Sequence, residues 1–260
     1  MKKLLVTLAK IAGIYTIARN AKRKLDQSRH EKLERSYHPL RVSFYKSFLH
    51  PDDLVFDVGA NVGNRVKVFR ELNCRVVAVE PQPPCIETLQ QTFGSSIVIE
   101  PVGLGPEAGE MEMFVADEST ISTFSAEFVE KTKDNKFKRN HWERSLKVPI
   151  STLDALIARH GMPAFLKIDV EGFEPEVLKG LSSPVPKLSF EYNVPEMSTN
   201  VVECTRILAG LSPDYRFNYS VGESMALALA EWKTAEDFLA LASTPAFAES
   251  DFGDVYAFIN

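Results

Sequence analysis

The chain has 260 residues, 45% of them hydrophobic and 25% charged, with a formal net charge of −5. That length accommodates one large α/β domain or two small ones, and the ordinary composition excludes a disordered, collagen-like or repeat chain. Net acidity argues against a nucleic-acid partner. Three scattered cysteines (Cys74, Cys85, Cys204) without a Cys-x-x-Cys pair give no zinc ribbon or redox dithiol, which fits a reducing, cytoplasmic compartment.

The first 45 residues stand apart by charge. Residues 1–35 carry ten Lys/Arg against three acids, so the remainder is distinctly acidic. The apolar run from Leu4 to Ala18 is shorter than the roughly 20 residues a transmembrane helix needs, and Lys10 interrupts it. Lys10 and the basic stretch from Arg19 to Lys24 also spoil a signal peptide. Two readings of this basic helical extension stand. It packs against the rest of the chain, or it rests as a basic amphipathic helix on the inner membrane surface, a peripheral contact.

Residues 46–260 read as the main domain. Leu54–Val58 is a short buried strand ending at a glycine turn. Val62, Val66 and Phe69 then mark one helical face. Arg75–Glu80 is a second strand, stopped by Pro81; Ile86, Leu89 and Phe93 form a second helix, stopped by Gly94; Ser96–Glu100 is a third strand. Gly109–Val115 reads as an additional, half-exposed strand. From Asp117 to Lys147 the spacing gives no regular element. This basic stretch is expected to be a solvated loop or a lid over a substrate, and its mix of lysines and aromatics gives a weak signal for a phosphorylated acceptor.

Order resumes at Ser151–Asp154, which fits a capping box opening a helix that Gly161 ends. Ala164–Val170 is a fourth strand, Glu174–Lys179 a helix with proline in its first turn, and Lys187–Tyr192 a fifth strand. A helix near Val201–Leu211 precedes β segments at Tyr215–Leu229 and Val255–Ile259, with a small helix at Thr234–Ala242 between them. This alternation predicts an α/β fold: a mainly parallel, Rossmann-like sheet with helices on both faces. Such sheets bind ligands at the carboxyl ends of their strands.

The chemistry concentrates in two places. The turn Gly59-Ala60-Asn61-Val62-Gly63 lacks the paired glycines of a nicotinamide-binding G-x-G-x-x-G fingerprint. Asp57 before it would repel a pyrophosphate and suits a cationic group such as an ammonium or sulfonium. Glu80, at the end of the second strand, sits where an acid takes both hydroxyls of an adenosine ribose. A nucleotide-linked oxidoreductase is therefore the weaker reading of this turn. The second place is Lys167-Ile168-Asp169-Val170-Glu171-Gly172-Phe173-Glu174. Three crowded carboxylates need a shared proton or a cationic partner. They suit a general base that takes the proton of a hydroxyl, or a divalent cation such as magnesium; no residue is assigned as a metal ligand. None of the five histidines has ligand spacing, and His141 is the one candidate for an alternative base.

Asp57–Gly63, Val79-Glu80-Pro81, Thr152-Leu153-Asp154 and Lys167–Glu174, in this order, resemble the FkbM-type methyltransferases over roughly residues 50–195. The resemblance implies a class I methyltransferase fold, S-adenosylmethionine as cofactor, and O-methylation of a hydroxyl on a sugar, glycan or related small molecule. It implies that Asp57, Gly59, Ala60, Asn61 and Gly63 hold the methionine end, that Glu80 holds the ribose, and that Val102 flanks the adenine. Asp169, Glu171 and Glu191 would then form the catalytic face. A membrane-surface module that keeps the fold without the activity is the alternative.

Overall fold

The buried apolar runs become strands and most helical periods become helices in the computed structural model, which describes residues 32–138 and 140–259. The apolar run at residues 4–18 lies outside the described residues. The chain divides into two compact units, Met1–Arg41 and Val42–Asn260. In the first, the described residues are helical, and Arg41 pairs with Glu34 at 2.6 Å. This helix, α1, runs over residues 32–46. No helix among the described residues is long and apolar enough to cross a membrane.

In the second unit, β1 (Leu54–Val58), α2 (Asn64–Glu71), β2 (Arg75–Val79), α3 (Pro83–Phe93) and β3 (Val98–Glu100) follow in order. Val62 was expected on the α2 face but lies in the turn before it, 40% exposed. The chain then builds β4 (Gly103–Leu104), β5 (Gly109–Val115), α4 (Ala126–Thr132), β6 (Arg144–Ser151) and α5 (Leu153–His160). After these come β7 (Phe165–Ile168), α6 (Glu174–Lys179), β8 (Lys187–Asn193), α7 (Ser198–Leu211), β9 (Tyr215–Val221), α8 (Ala235–Ala242), α9 (Pro245–Ala248) and β10 (Phe252–Ile259).

Seven of these strands form one sheet in the order β3-β2-β1-β7-β8-β10-β9. All pairs are parallel except those of β10, which runs antiparallel to both β8 and β9. A second sheet, β4-β6-β5, holds the strand expected at Gly109–Val115. The main sheet has an apolar core on each face, because alternate strand residues point to opposite sides. Phe56, Leu166, Leu188 and Phe190 pack with residues of α5, α6 and α7. Val55, Val76, Ala78, Phe165 and Tyr256 pack with Tyr45, Leu49, Val66 and Phe69.

Two longer segments also depart from expectation. Asp117–Lys147 is not without structure: it holds a 3₁₀ turn at Ser119–Ile121, all of α4 and the start of β6. Ser125 caps α4 by accepting from Phe128 N, and Phe128 buries its ring against Phe137 at 5.8 Å. A helix of seven residues shows too few periods to read against such polar flanks. The second failure is at Tyr215–Leu229, where β9 stops at Val221; Gly222 turns the chain, and the rest is irregular. The cap at Thr152 is single rather than a reciprocal box. Its hydroxyl accepts from Ala155 N, while Asp154 accepts instead from Ser182 N.

Candidate active site

The carboxyl ends of β1, β2, β7 and β8 bring the expected residues to one edge. Asp57, near the end of β1, is 1% exposed and its Oδ2 has no hydrogen-bond partner. A buried, unpartnered carboxylate oxygen calls for a donor. Burial raises the Asp57 carboxyl to about 6, against the lowering pull of Lys167 and Arg65. The following turn folds back on β2: Gly59 N and Ala60 N both donate to Val79 O. Gly59 is left-handed, with φ +84°, and a Cβ there would lie 1.8 Å from Asp169 O. Only glycine permits this approach, which sets the turn after β1 directly beside the acid cluster. Ala60 is buried in the core and presents backbone rather than side chain.

Glu80 is 2% exposed. Its Oε2 accepts from Asn61 N and its Oε1 from Gln82 N, both at 2.8 Å. A carboxylate has about four acceptor positions, so each oxygen retains capacity for a ribose hydroxyl. Burial raises this group to about 7, moderated by the two backbone donors. The 3₁₀ turn closes over this side. Gln82 Nε2 donates to Ser119 O at 3.1 Å, and Ser119 Oγ donates to Asn61 Oδ1 at 3.3 Å. Gly63 is the left-handed N-cap of α2, and Val102 is half-buried against the core.

The strand register explains the second cluster. Asp57 of β1 pairs in register with Lys167 of β7, and Glu191 of β8 lies opposite Asp254 of β10. Residues two apart on a strand share a side, so Lys167 reaches Asp169: Nζ donates to Oδ2 at 2.6 Å. Burial alone would lower the Lys167 ammonium, but Asp169 and Asp254 outweigh it and hold it charged. Carboxylate oxygens of Asp169, Glu171 and Glu191 lie within 4.8 Å of one another. Glu171 adopts a left-handed backbone, φ 53°, and its carbonyl accepts from Thr123 Oγ1 at 2.7 Å. Burial, then the Asp169 charge, pushes the Glu171 and Glu191 carboxyls well above the ordinary carboxylate range. Glu174 plays a different part. It accepts from Val170 N and Gly172 N, and so fixes the loop that carries Glu171. Lys167 thus offsets one charge of the trio.

Several residues at this site escape the sequence reading. Arg65 in the first turn of α2 donates to both oxygens of Glu223, at 2.9 and 2.8 Å, and helps offset Asp57 and Asp254. Asp254 had a signal, an acid inside an otherwise apolar strand. Asn193 also had one, two positions beyond Glu191 on the same side. Lys136 had none that separates it from the other lysines of its segment. Lys131, Lys133, Lys136 and Lys147 pair with Glu127, Glu130, Asp251 and Glu110. Each of these four cations is matched by a nearby acid. His141 is exposed, and Trp142 donates to Ile121 O at 2.9 Å. Glu100, at the end of β3, is engaged by Arg159 and His160. Burial raises its carboxyl, but those two partners outweigh it and hold it below the usual range. The three cysteines are buried and unpaired.

A family model described as the methyltransferase FkbM domain matches residues 57–219. A comparison with curated proteins found no match. Among solved structures, the chain is similar to a precorrin-6y C5,15-methyltransferase from Geobacter metallireducens, with 10% identity, TM-score 0.42, and coverage of 86% of this chain and 87% of that one. It is similar to a TehB-like SAM-dependent methyltransferase from Corynebacterium glutamicum, with 8% identity, TM-score 0.43 and coverage of 85% and 88%. Aeropyrum pernix fibrillarin, in complex with S-adenosyl-L-methionine, matches at 10% identity, TM-score 0.34 and coverage of 80% and 67%. Overlaps this loose say nothing about ligands or chemistry.

Proposed function

We propose, from the premise that the chain belongs to the FkbM methyltransferase family, that it is an S-adenosylmethionine-dependent O-methyltransferase acting on a hydroxyl of a sugar, glycan or related small molecule. The observation that carries this reading is the unpartnered buried Oδ2 of Asp57 beside a glycine turn, with Glu80 at the next strand end. An anion so placed fits the ammonium of an amino-acid end and disfavours a pyrophosphate. Glu80 is prearranged by two backbone donors to receive ribose hydroxyls. Bound there, S-adenosylmethionine supplies an electrophilic methyl group.

The protein's own contribution follows from the acid cluster. An acceptor hydroxyl must lose its proton as the new bond forms, and a positioned base contributes about 10²–10⁴ in rate. Asp169 is held by Lys167 and lies against the cofactor turn, because Gly59 admits its carbonyl there. It is the base that best fits this geometry. Glu171 and Glu191, with raised proton affinity, hydrogen-bond the hydroxyl and keep it aimed. The 3₁₀ turn reaches Gln82 and Asn61, and Phe128 of α4 packs on Gly172 beside the cluster.

The test is a labelled methyl-transfer screen over monosaccharides, glycans and lipid-linked sugars, with and without magnesium. Transfer to a hydroxyl supports the reading. Binding of S-adenosylhomocysteine without transfer to any hydroxyl favours the alternative, a binding module that has lost activity.

A further inference from the structure

One lysine of the basic segment reaches the acid cluster through a single buried side chain. Lys136 Nζ donates to Asn193 Oδ1 at 2.9 Å, and Asn193 Nδ2 donates to Glu191 Oε2 at 3.1 Å. Asn193 is buried. An ammonium can only donate, so the amide oxygen must face Lys136 and the amide NH₂ must face Glu191. The direction of both hydrogen bonds is thereby fixed. Lys136 is itself held by Asp251, at 2.8 Å, and lies over the Phe252 ring at 5.4 Å. Asn135 Nδ2 donates to Glu196 Oε1 at 3.5 Å, a second tie from the same segment.

We propose that Lys136 and Asn193 are positioning residues for the acceptor site, forming a bridge of fixed polarity that anchors Glu191 Oε2 as a hydrogen-bond acceptor. The proposal rests on the reading of Glu191 as part of the reacting cluster. Glu191 faces Asp169 and Lys167 from the β7 end, Glu171 from the following loop, Glu174 from α6 and Asp254 from β10. Four of these five neighbours are acids. Lys167, already bonded to Asp169, and the Lys136 bridge oppose their crowding. The bridge therefore fixes which Glu191 oxygen keeps its lone pairs for the protein and leaves the other for the acceptor. It also gives the segment at residues 133–138 a role in the site.

The test uses ligand-free protein labelled with ¹³C at glutamate carboxyls, so it needs neither cofactor nor acceptor. The Glu191 resonance is assigned by its loss in Glu191→Gln, and its midpoint is followed with pH. Lys136→Met should raise that midpoint by about one pH unit, since a nearby cation favours the charged form. Lys136→Arg, which keeps the donors and the charge, should stay near wild type. Asn193→Asp should raise the midpoint further, by placing a second carboxylate where the NH₂ was. An unchanged midpoint in Lys136→Met would overturn the bridge. A lowered midpoint would also overturn it, because Lys136 would then only shield Glu191 from water. Calorimetry with S-adenosylhomocysteine on wild type separates this outcome from failure of the methyltransferase reading. The bridge is decided by the resonance whether or not that ligand binds.

Discussion

The two halves of the site are built by different means. On the proposed cofactor side, the turn after β1 is contiguous in sequence, and backbone donors hold the acid at the end of β2: Asn61 N and Gln82 N fix Glu80. On the proposed acceptor side, Asp169 and Glu171 lie in the loop after β7, Glu191 on β8 and Asp254 on β10, and Lys167, Arg65 and Lys136 offset them. Backbone-held anions keep their geometry whatever their charge. A group of side-chain charges keeps its geometry only while each charge has its partner. The cofactor side should therefore tolerate change at the acceptor side better than the reverse.

The largest expected effect is on folding. Lys167→Met leaves Asp57, Asp169 and Asp254 without their shared cation. Removing one partner from a buried charge group costs about 3–5 kcal/mol, readable as a lowered urea midpoint. A loss below about 1 kcal/mol would mean that the acids share protons and do not depend on Lys167. Next comes Asp169→Asn, which keeps the shape and can still accept from Lys167. Methyl transfer should fall by about 100-fold or more, with affinity for S-adenosylhomocysteine within about threefold. Equal losses in both would erase the division between the halves.

A smaller effect is set by pH. Burial raises the Asp57 carboxyl to about 6 and the Glu80 carboxyl to about 7. A carboxyl with a raised folded-state value contributes stability that is complete below its unfolded value, near 4, and is lost as pH rises through the folded value. Ligand-free stability from these two groups should therefore decline between about pH 4 and 7. Affinity should move the other way, since a cationic ligand needs Asp57 ionised. From pH 5 to pH 8, binding of S-adenosylhomocysteine should tighten by about tenfold, measured by calorimetry. The smallest effect is outside both halves: Thr152→Ala removes one cap of α5 and should cost about 1 kcal/mol with no change in ligand affinity.

The same contrast explains what the sequence revealed. The cofactor side is legible because its residues are local: a strand, a glycine turn and an acid at the next strand end. Asp169 and Glu171 are legible for the same reason, as neighbours in one motif. Arg65 and Lys136 are not, since they reach the site from α2 and from the segment after α4, and only the register of β8 with β10 sets Asp254 beside Glu191. The mainly parallel sheet followed from the alternation of strands with helices, whereas α4 was hidden by its short length and polar flanks.

Asp57 is proposed to receive the charged end of the cofactor, and calorimetric binding of S-adenosylhomocysteine to wild type and Asp57→Ala tests this most directly. Losing one partner of a buried charge pair costs about 2 kcal/mol or more, so the variant should bind about thirtyfold more weakly or not at all, with its fold intact by circular dichroism. Equal affinity in the two proteins would contradict the account.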